Sequence, residues 1–140
     1  MEKGQFDDAF ETGVAGPLRD VGFKPRGKSL AFKDASITIA LIRLGGRLAS
    51  PGCISHVICF RHSFLRDRSE SVPAAAPAEP FDYPFKFIPS EAPPSRYRPQ
   101  NLRYPYDVVE WSHMGEQELS RWTAALAATI TDRLCLGHVQ

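Results

Sequence analysis

Four side chains able to bind metals or act as nucleophiles recur every three residues in the stretch CISHVICFRH: Cys53, His56, Cys59 and His62. In a β-strand, residues two apart share a face, so the cysteines point one way and the histidines the other. Cys53 and Cys59 would also lie roughly 20 Å apart at about 3.3 Å per residue, too far to bind one zinc ion. In a helix the four side chains would spread over half of the cylinder. We therefore expect no metal site here and no cofactor elsewhere.

A catalytic cysteine is the next interpretation of this stretch. Cys59 would need a base such as His113 and a lowered thiol pKa, which comes from a helix start or from nearby cations. Cys59 instead lies between Ile58 and Phe60 in an apolar run. Cysteine is among the residue types most often buried, so we interpret Cys59 as a small core residue and expect no catalytic residues.

An enzyme remains one alternative, although the sequence has no Gly-rich phosphate loop and no nucleophilic serine elbow. Such an enzyme would pair His56 or His62 with His113, or with a carboxylate, across a sheet. This hypothesis requires the fold to bring histidines together that are distant in sequence.

The segment SRYRPQNLRYPY interleaves arginines with tyrosines and contains no acidic residue. Arginine and tyrosine are enriched at the hot spots of protein interfaces, and both also stack on the bases of single-stranded nucleic acid. The net charge of +1 gives no long-range attraction to a polyanion, which favours a protein partner over nucleic acid. A structural alternative is that the rings tie a long loop to the body of the domain. The candidate partner-binding residues are Arg96, Tyr97, Arg98, Arg103, Tyr104 and Tyr106.

The segment RDVGFKPRGKSLAFK is a second candidate binding region, because it holds five cations and one acid. We add Lys24 and Arg26 to the predicted partner surface. The simpler explanation is a solvated helix end, where cations complement the helix dipole.

Two amphipathic helices are predicted, one at each end of the chain. Apolar residues four apart predict a helix from Gln5 to Val21, with a kink or break near Gly16 because Pro17 lacks an amide hydrogen. A second helix is predicted to begin after Gly115 and to end at Gly137. Its apolar stripe consists of Leu119, Trp122, Leu126, Ile130 and Leu134.

Strand composition marks the segments SLAFK, SITIALIRL, CISHVICFRHSF and YDVVEW. Nine of the twelve prolines lie between Val72 and Pro105, which predicts an irregular insert at about residues 66–103. Its many aromatic residues predict that the insert packs back on the body. We therefore predict one α+β domain over residues 1–140. It has an antiparallel sheet of about four to five strands, with the N-terminal and C-terminal helices packed on one face.

Cellular location follows from what the sequence lacks. The charged first residues do not form a secretory signal, and no apolar run approaches the roughly 20 residues of a membrane span. Three cysteines at irregular spacing argue against a disulfide framework. We predict a cytoplasmic protein that does not bind membranes.

The segment LRDVGFKPRGKSLAF follows the first helix and precedes ITIALIRL and CISHVICFRHSF. This order resembles a bacterial domain-of-unknown-function family with an N-terminal helix, a GFK-x-x-G turn and an antiparallel sheet. By analogy, small bacterial domains of this sort resemble immunity proteins, which bind and block a toxin. We therefore expect a non-enzymatic protein-binding module, with a small histidine-based enzyme or a single-stranded nucleic-acid binder as alternatives.

Overall fold

The computed structural model describes residues 1–44, 51–66, 69–87 and 109–139. Helices and strands occur in an α+β order, and the strands form one antiparallel sheet, which confirms the predicted fold class. The elements are α1 (Lys3–Phe10), α2 (Gly16–Asp20), β1 (Lys24–Arg26), β2 (Ser29–Lys33), β3 (Ile37–Arg43), β4 (His56–His62), β5 (Phe85–Phe87) and α3 (Glu116–Val139).

The five strands form a meander in which each strand pairs with the next along the chain. The β1–β2 connection has two residues, and Gly27 has a φ of 62°, as the first central position of a type II′ turn requires. Strands β3 and β4 pair over seven residues, from Ile37 opposite His62 to Arg43 opposite His56. This long pair forms the centre of the sheet.

The first helix is interrupted where the sequence predicts it, but by a π-helical turn. Residues Glu11–Ala15 form this turn between α1 and α2, and the amide of Gly16 donates to the Glu11 carbonyl five residues back. The ring of Pro17 would clash with the carbonyl of residue 13 in a regular α-helix, and the wider turn relieves that clash. At Gly13 the turn also packs closely against α3, since a Cβ atom there would lie 2.6 Å from Cβ of Thr123.

Helix α3 begins immediately after Gly115, as predicted, and the Leu119 amide donates to the Gly115 carbonyl at 3.0 Å. The predicted end at Gly137 is wrong, because the helix continues to Val139. Within the described ranges, no helix combines the length and the apolar composition that a membrane crossing needs. Four residues of the predicted stripe are buried in the core, namely Leu119, Trp122, Leu126 and Ile130.

Three strand predictions need correction. Strand β1 forms in the basic segment after the first helix, for which the sequence predicts no strand, and β5 forms inside the predicted irregular insert. In YDVVEW the structure shows one bridge, between Val109 and Ile54, followed by a 3₁₀ helix over Trp111–His113. Residues 106–108 of that segment lie outside the described residues.

The sheet has two different faces. The helices pack on one face, called the inner face, against Leu30, Ile39, Leu41 and Ile58. The opposite face, called the outer face, is covered by part of the insert. Its buried cluster consists of Ala31, Ala40, Ile42, Val57, Cys59, Ala76 and Tyr83.

Candidate binding surfaces

Successive side chains of β4 point to opposite faces of the sheet, and this separates Cys59 from His56, two candidates for a metal site or a nucleophile. Cys59 faces the outer cluster and is 0% exposed, whereas His56 faces the helices. Burial raises the pKa of the Cys59 thiol to about 12, and the opposing effect of the nearby cation Lys86 is the smaller of the two. A thiol in this state is a poor nucleophile. The structure therefore places Cys59 as the sequence analysis expected, in the core.

His56 is a buried histidine in an aromatic environment. Its ring stacks on Phe10 with centroids 5.4 Å apart and an interplanar angle of 9°. Burial, with a further contribution from the charge of Arg43, lowers its pKa to about 3, so the ring is neutral at physiological pH. Among the residues that the structure describes, neither Nδ1 of His56 nor Nε1 of Trp122 meets a hydrogen-bond partner.

The three histidines of the enzyme hypothesis lie in different environments, since His56 is buried and the other two are exposed. His62 is exposed at the opposite end of β4, six residues and roughly 20 Å from His56. His113 is exposed beside α3, with its Nε2 atom 3.7 Å from Oε2 of Glu110. No three His, Cys, Asp or Glu side chains of the described chain could hold a metal ion together. The geometry thus gives no support to a histidine-based site.

The predicted partner-binding residues divide into two groups. Lys24 and Arg26 are exposed on β1, and Nε of Arg26 donates to the Ala76 carbonyl at 3.0 Å. Arg26 therefore also contributes an internal contact to the insert. The remaining six lie outside the described residues: Arg96, Tyr97, Arg98, Arg103, Tyr104 and Tyr106.

A surface that the sequence analysis missed lies where β4 ends beside β5. It consists of four aromatic rings in contact, which we call the aromatic ridge: Phe60, His62, Phe64 and Phe85. The His62 ring lies 5.7 Å from that of Phe60 and 5.2 Å from that of Phe64, and the Phe60 and Phe85 rings are 5.9 Å apart. Phe64 is 64% exposed and Phe85 is 54% exposed.

The register of the sheet explains the ridge. Phe60 pairs with Phe85, so both rings project from the inner face, and Phe60 packs at the margin of the helical core. Phe60, His62 and Phe64 occur at two-residue spacing in FRHSF, which is a visible sequence signal. The position of Phe85 beside Phe60 could not be predicted from the sequence, because its strand lies in a segment predicted to be irregular.

The outer face carries most of the lysines and arginines of the described strands. In all five described strands no position holds an acidic residue, and the outer-face positions of four of them hold lysine or arginine. Arg61 is 2% exposed, and its guanidinium donates to the carbonyls of Asp82 at 2.9 Å and Leu65 at 2.6 Å. The outer-face cations are Lys24, Arg26, Lys33, Arg61 and Lys86.

Comparisons of this chain with protein-family models, with curated proteins and with solved structures found no match.

Proposed function

We propose that this chain is a non-enzymatic protein-binding module and that the aromatic ridge is its contact surface. The observation that supports this proposal is the set of four contacting rings, of which Phe64 and Phe85 are more than half exposed. Contiguous apolar surface is unfavourable in water, and aromatic residues are enriched where proteins bind one another. A partner with a complementary apolar surface would remove these rings from water.

The distribution of charge favours protein over single-stranded nucleic acid as the partner. Nucleic-acid grooves place cations beside stacking rings, so that phosphates and bases are contacted together. Here the strand cations project mostly from the outer face, whereas Phe60 and Phe85 project from the inner face. The inner-face cation Arg43 lies at the other end of the β3–β4 pair from His62. The ridge therefore lacks a strand cation beside its rings.

An immunity-type role, in which the module binds and blocks a toxin, is the specific form of this proposal that the sequence resemblance suggests. We propose a cytoplasmic location for the module, because the buried Cys59 is a free thiol, as a reducing compartment maintains it. The six arginines and tyrosines of the insert remain proposed as additional contacts to the same partner.

Site-specific photocrosslinking in cells that express the protein tests the ridge. A photoreactive phenylalanine analogue is placed at Phe64, at Phe85 and, as a control, at Val72, which is 53% exposed and lies in the insert. We expect one identified protein to crosslink at both ridge positions and not at Val72. With that protein purified, Phe64→Ser should weaken binding at least tenfold in a direct titration.

Two results would contradict the proposal. One is the absence of a crosslinked protein at both ridge positions. The other is an identified partner whose affinity is unchanged by Phe64→Ser while circular dichroism shows an intact fold. An immunity role requires in addition that the partner is toxic alone and harmless when bound.

A further inference from the structure

The aromatic ridge contains one titratable side chain, His62, which lies between two of its other rings. The His62 ring stacks on Phe64 at an interplanar angle of 20° and meets Phe60 edge to face at 79°. The side chain is exposed to water. Histidine is the side chain whose charge ordinarily changes between pH 5 and pH 8. A change of pH across this range therefore alters the charge in the middle of an otherwise apolar surface.

The neighbours that the structure gives His62 on the inner face are apolar. Ile37 lies directly opposite it on β3 and is buried, and Phe60 and Phe64 flank it along the chain. In the free protein a protonated His62 keeps its contact with water, and the face of the Phe64 ring also attracts a cation. The free protein can therefore carry the charge without loss of the ridge.

The charged groups of the adjoining described elements make contacts of their own. Oδ1 of Asp34, in the β2–β3 connection, accepts from two backbone amides of its own turn at 2.8 Å. Nη1 of Arg66, which follows the ridge along the chain, donates to a backbone carbonyl of its own loop at 3.0 Å. The cations of the neighbouring strands project from the outer face, namely Lys33, Arg61 and Lys86. The charge of a protonated His62 is thus stabilised mainly by water.

We propose that the partner covers His62 with uncharged apolar surface, so that protonation of His62 weakens the complex. This inference rests on the proposed function of the aromatic ridge as a contact surface. Burial removes the water that stabilises an imidazolium, so the complex favours the neutral ring, whereas the free protein accepts a proton. The affinity is therefore complete above the range in which histidine titrates and falls as the pH drops through it, by about tenfold between pH 7.5 and pH 5.5.

Chromatography on phenyl-agarose tests this inference, because its phenyl groups are an uncharged aromatic probe for the ridge. At a fixed salt concentration, the retention factor of the wild-type protein should fall about three- to tenfold from pH 7.5 to pH 5.5. His62→Phe keeps a ring in the ridge without a titratable group, and its retention should be the same at both pH values. His113→Gln replaces an exposed histidine outside the ridge and should keep the pH dependence of the wild type.

Phe64→Ser separates a failure of this inference from a failure of the proposed function. This variant removes a ring that is 64% exposed and should elute earlier than the wild type at the higher pH. Unchanged elution of Phe64→Ser would contradict the ridge as a contact surface, and the role of His62 with it. If Phe64→Ser does elute earlier, the role of His62 alone is overturned when wild-type retention does not fall on acidification, or when His62→Phe loses as much retention as the wild type. If circular dichroism shows that His62→Phe alters the fold, His62→Gln takes its place, since glutamine is neutral at both pH values.

Discussion

The two faces of this sheet are covered in different ways, as two adjacent cross-strand rows show. On the inner face, Phe32, Ile39, Phe60 and Phe85 lie side by side, and this face carries the helices and the large rings of the core. On the outer face, Ala31, Ala40 and Cys59 lie side by side between two lysines. Large apolar side chains gain stability by burial, whereas small ones gain little. The comparison indicates that the inner face contributes more to stability than the outer face, where the buried cluster is smaller and is covered by part of the insert.

The different contributions of the two faces to stability can be tested by truncating one large aromatic side chain on each face. Trp122 is a core residue that packs against Phe6, and Trp122→Ala should lower the free energy of unfolding by about 3–5 kcal/mol. Tyr83→Ala should lower it by at most about 2 kcal/mol, because local opening of the insert segment from Ala76 to Tyr83 breaks only the contacts of that segment. Urea unfolding of both variants measures the difference. Equal losses would show that both faces belong to one cooperative core.

The close approach of the first helix to α3 offers a second test of the inner face. Gly13→Ala places a Cβ atom 2.6 Å from Cβ of Thr123, and this overpacking should lower the free energy of unfolding by about 1–3 kcal/mol. Gly4→Ala on the same helix is the matched control. Nothing lies within 4 Å of a Cβ atom at Gly4, so this change should be neutral or stabilising. Similar unfolding midpoints for the two variants would rule out the tight contact.

The inner face should also make the stability of the fold sensitive to acid, through the buried His56. The folded state lowers the pKa of His56 from 6.5 to about 3, so the unfolded chain binds a proton that the folded chain does not. This group's contribution to stability is complete above about pH 7 and falls as the pH drops through 6.5, at up to about 1.4 kcal/mol per unit.

Between pH 7 and pH 5, His56 should therefore remove about 2 kcal/mol from the free energy of unfolding. His56→Phe should flatten this part of the pH profile in urea titrations. Replacement of the exposed His113 by Gln should leave the slope in place. A profile that keeps its slope in His56→Phe would mean that other groups cause the loss.

The difference between the faces also explains how far the sequence could predict the structure. Regular periodicity was sufficient for the helical stripe of Leu119, Trp122 and Leu126, and for the separation of Cys59 from His56. Strand β5 was missed, because three residues among prolines carry no periodicity and pair only through the tertiary fold. The aromatic ridge depends on that pairing of Phe85 with Phe60, so sequence spacing alone could not assemble it.

The smallest expected effect on stability comes from the cations of the outer face. It distinguishes the contribution of a specific hydrogen bond from that of net charge. Lys24 and Arg26 are both exposed cations of β1, but Nε of Arg26 donates to the Ala76 carbonyl. Arg26→Gln should lower the free energy of unfolding by about 0.5–1.5 kcal/mol through loss of this bond, whereas Lys24→Gln should change it by less than about 0.5 kcal/mol. Parallel urea titrations at low and high salt measure both. If the two variants behave alike and their effect disappears in salt, the outer face acts through its net charge, and the hydrogen bond from Arg26 to the Ala76 carbonyl contributes nothing to stability.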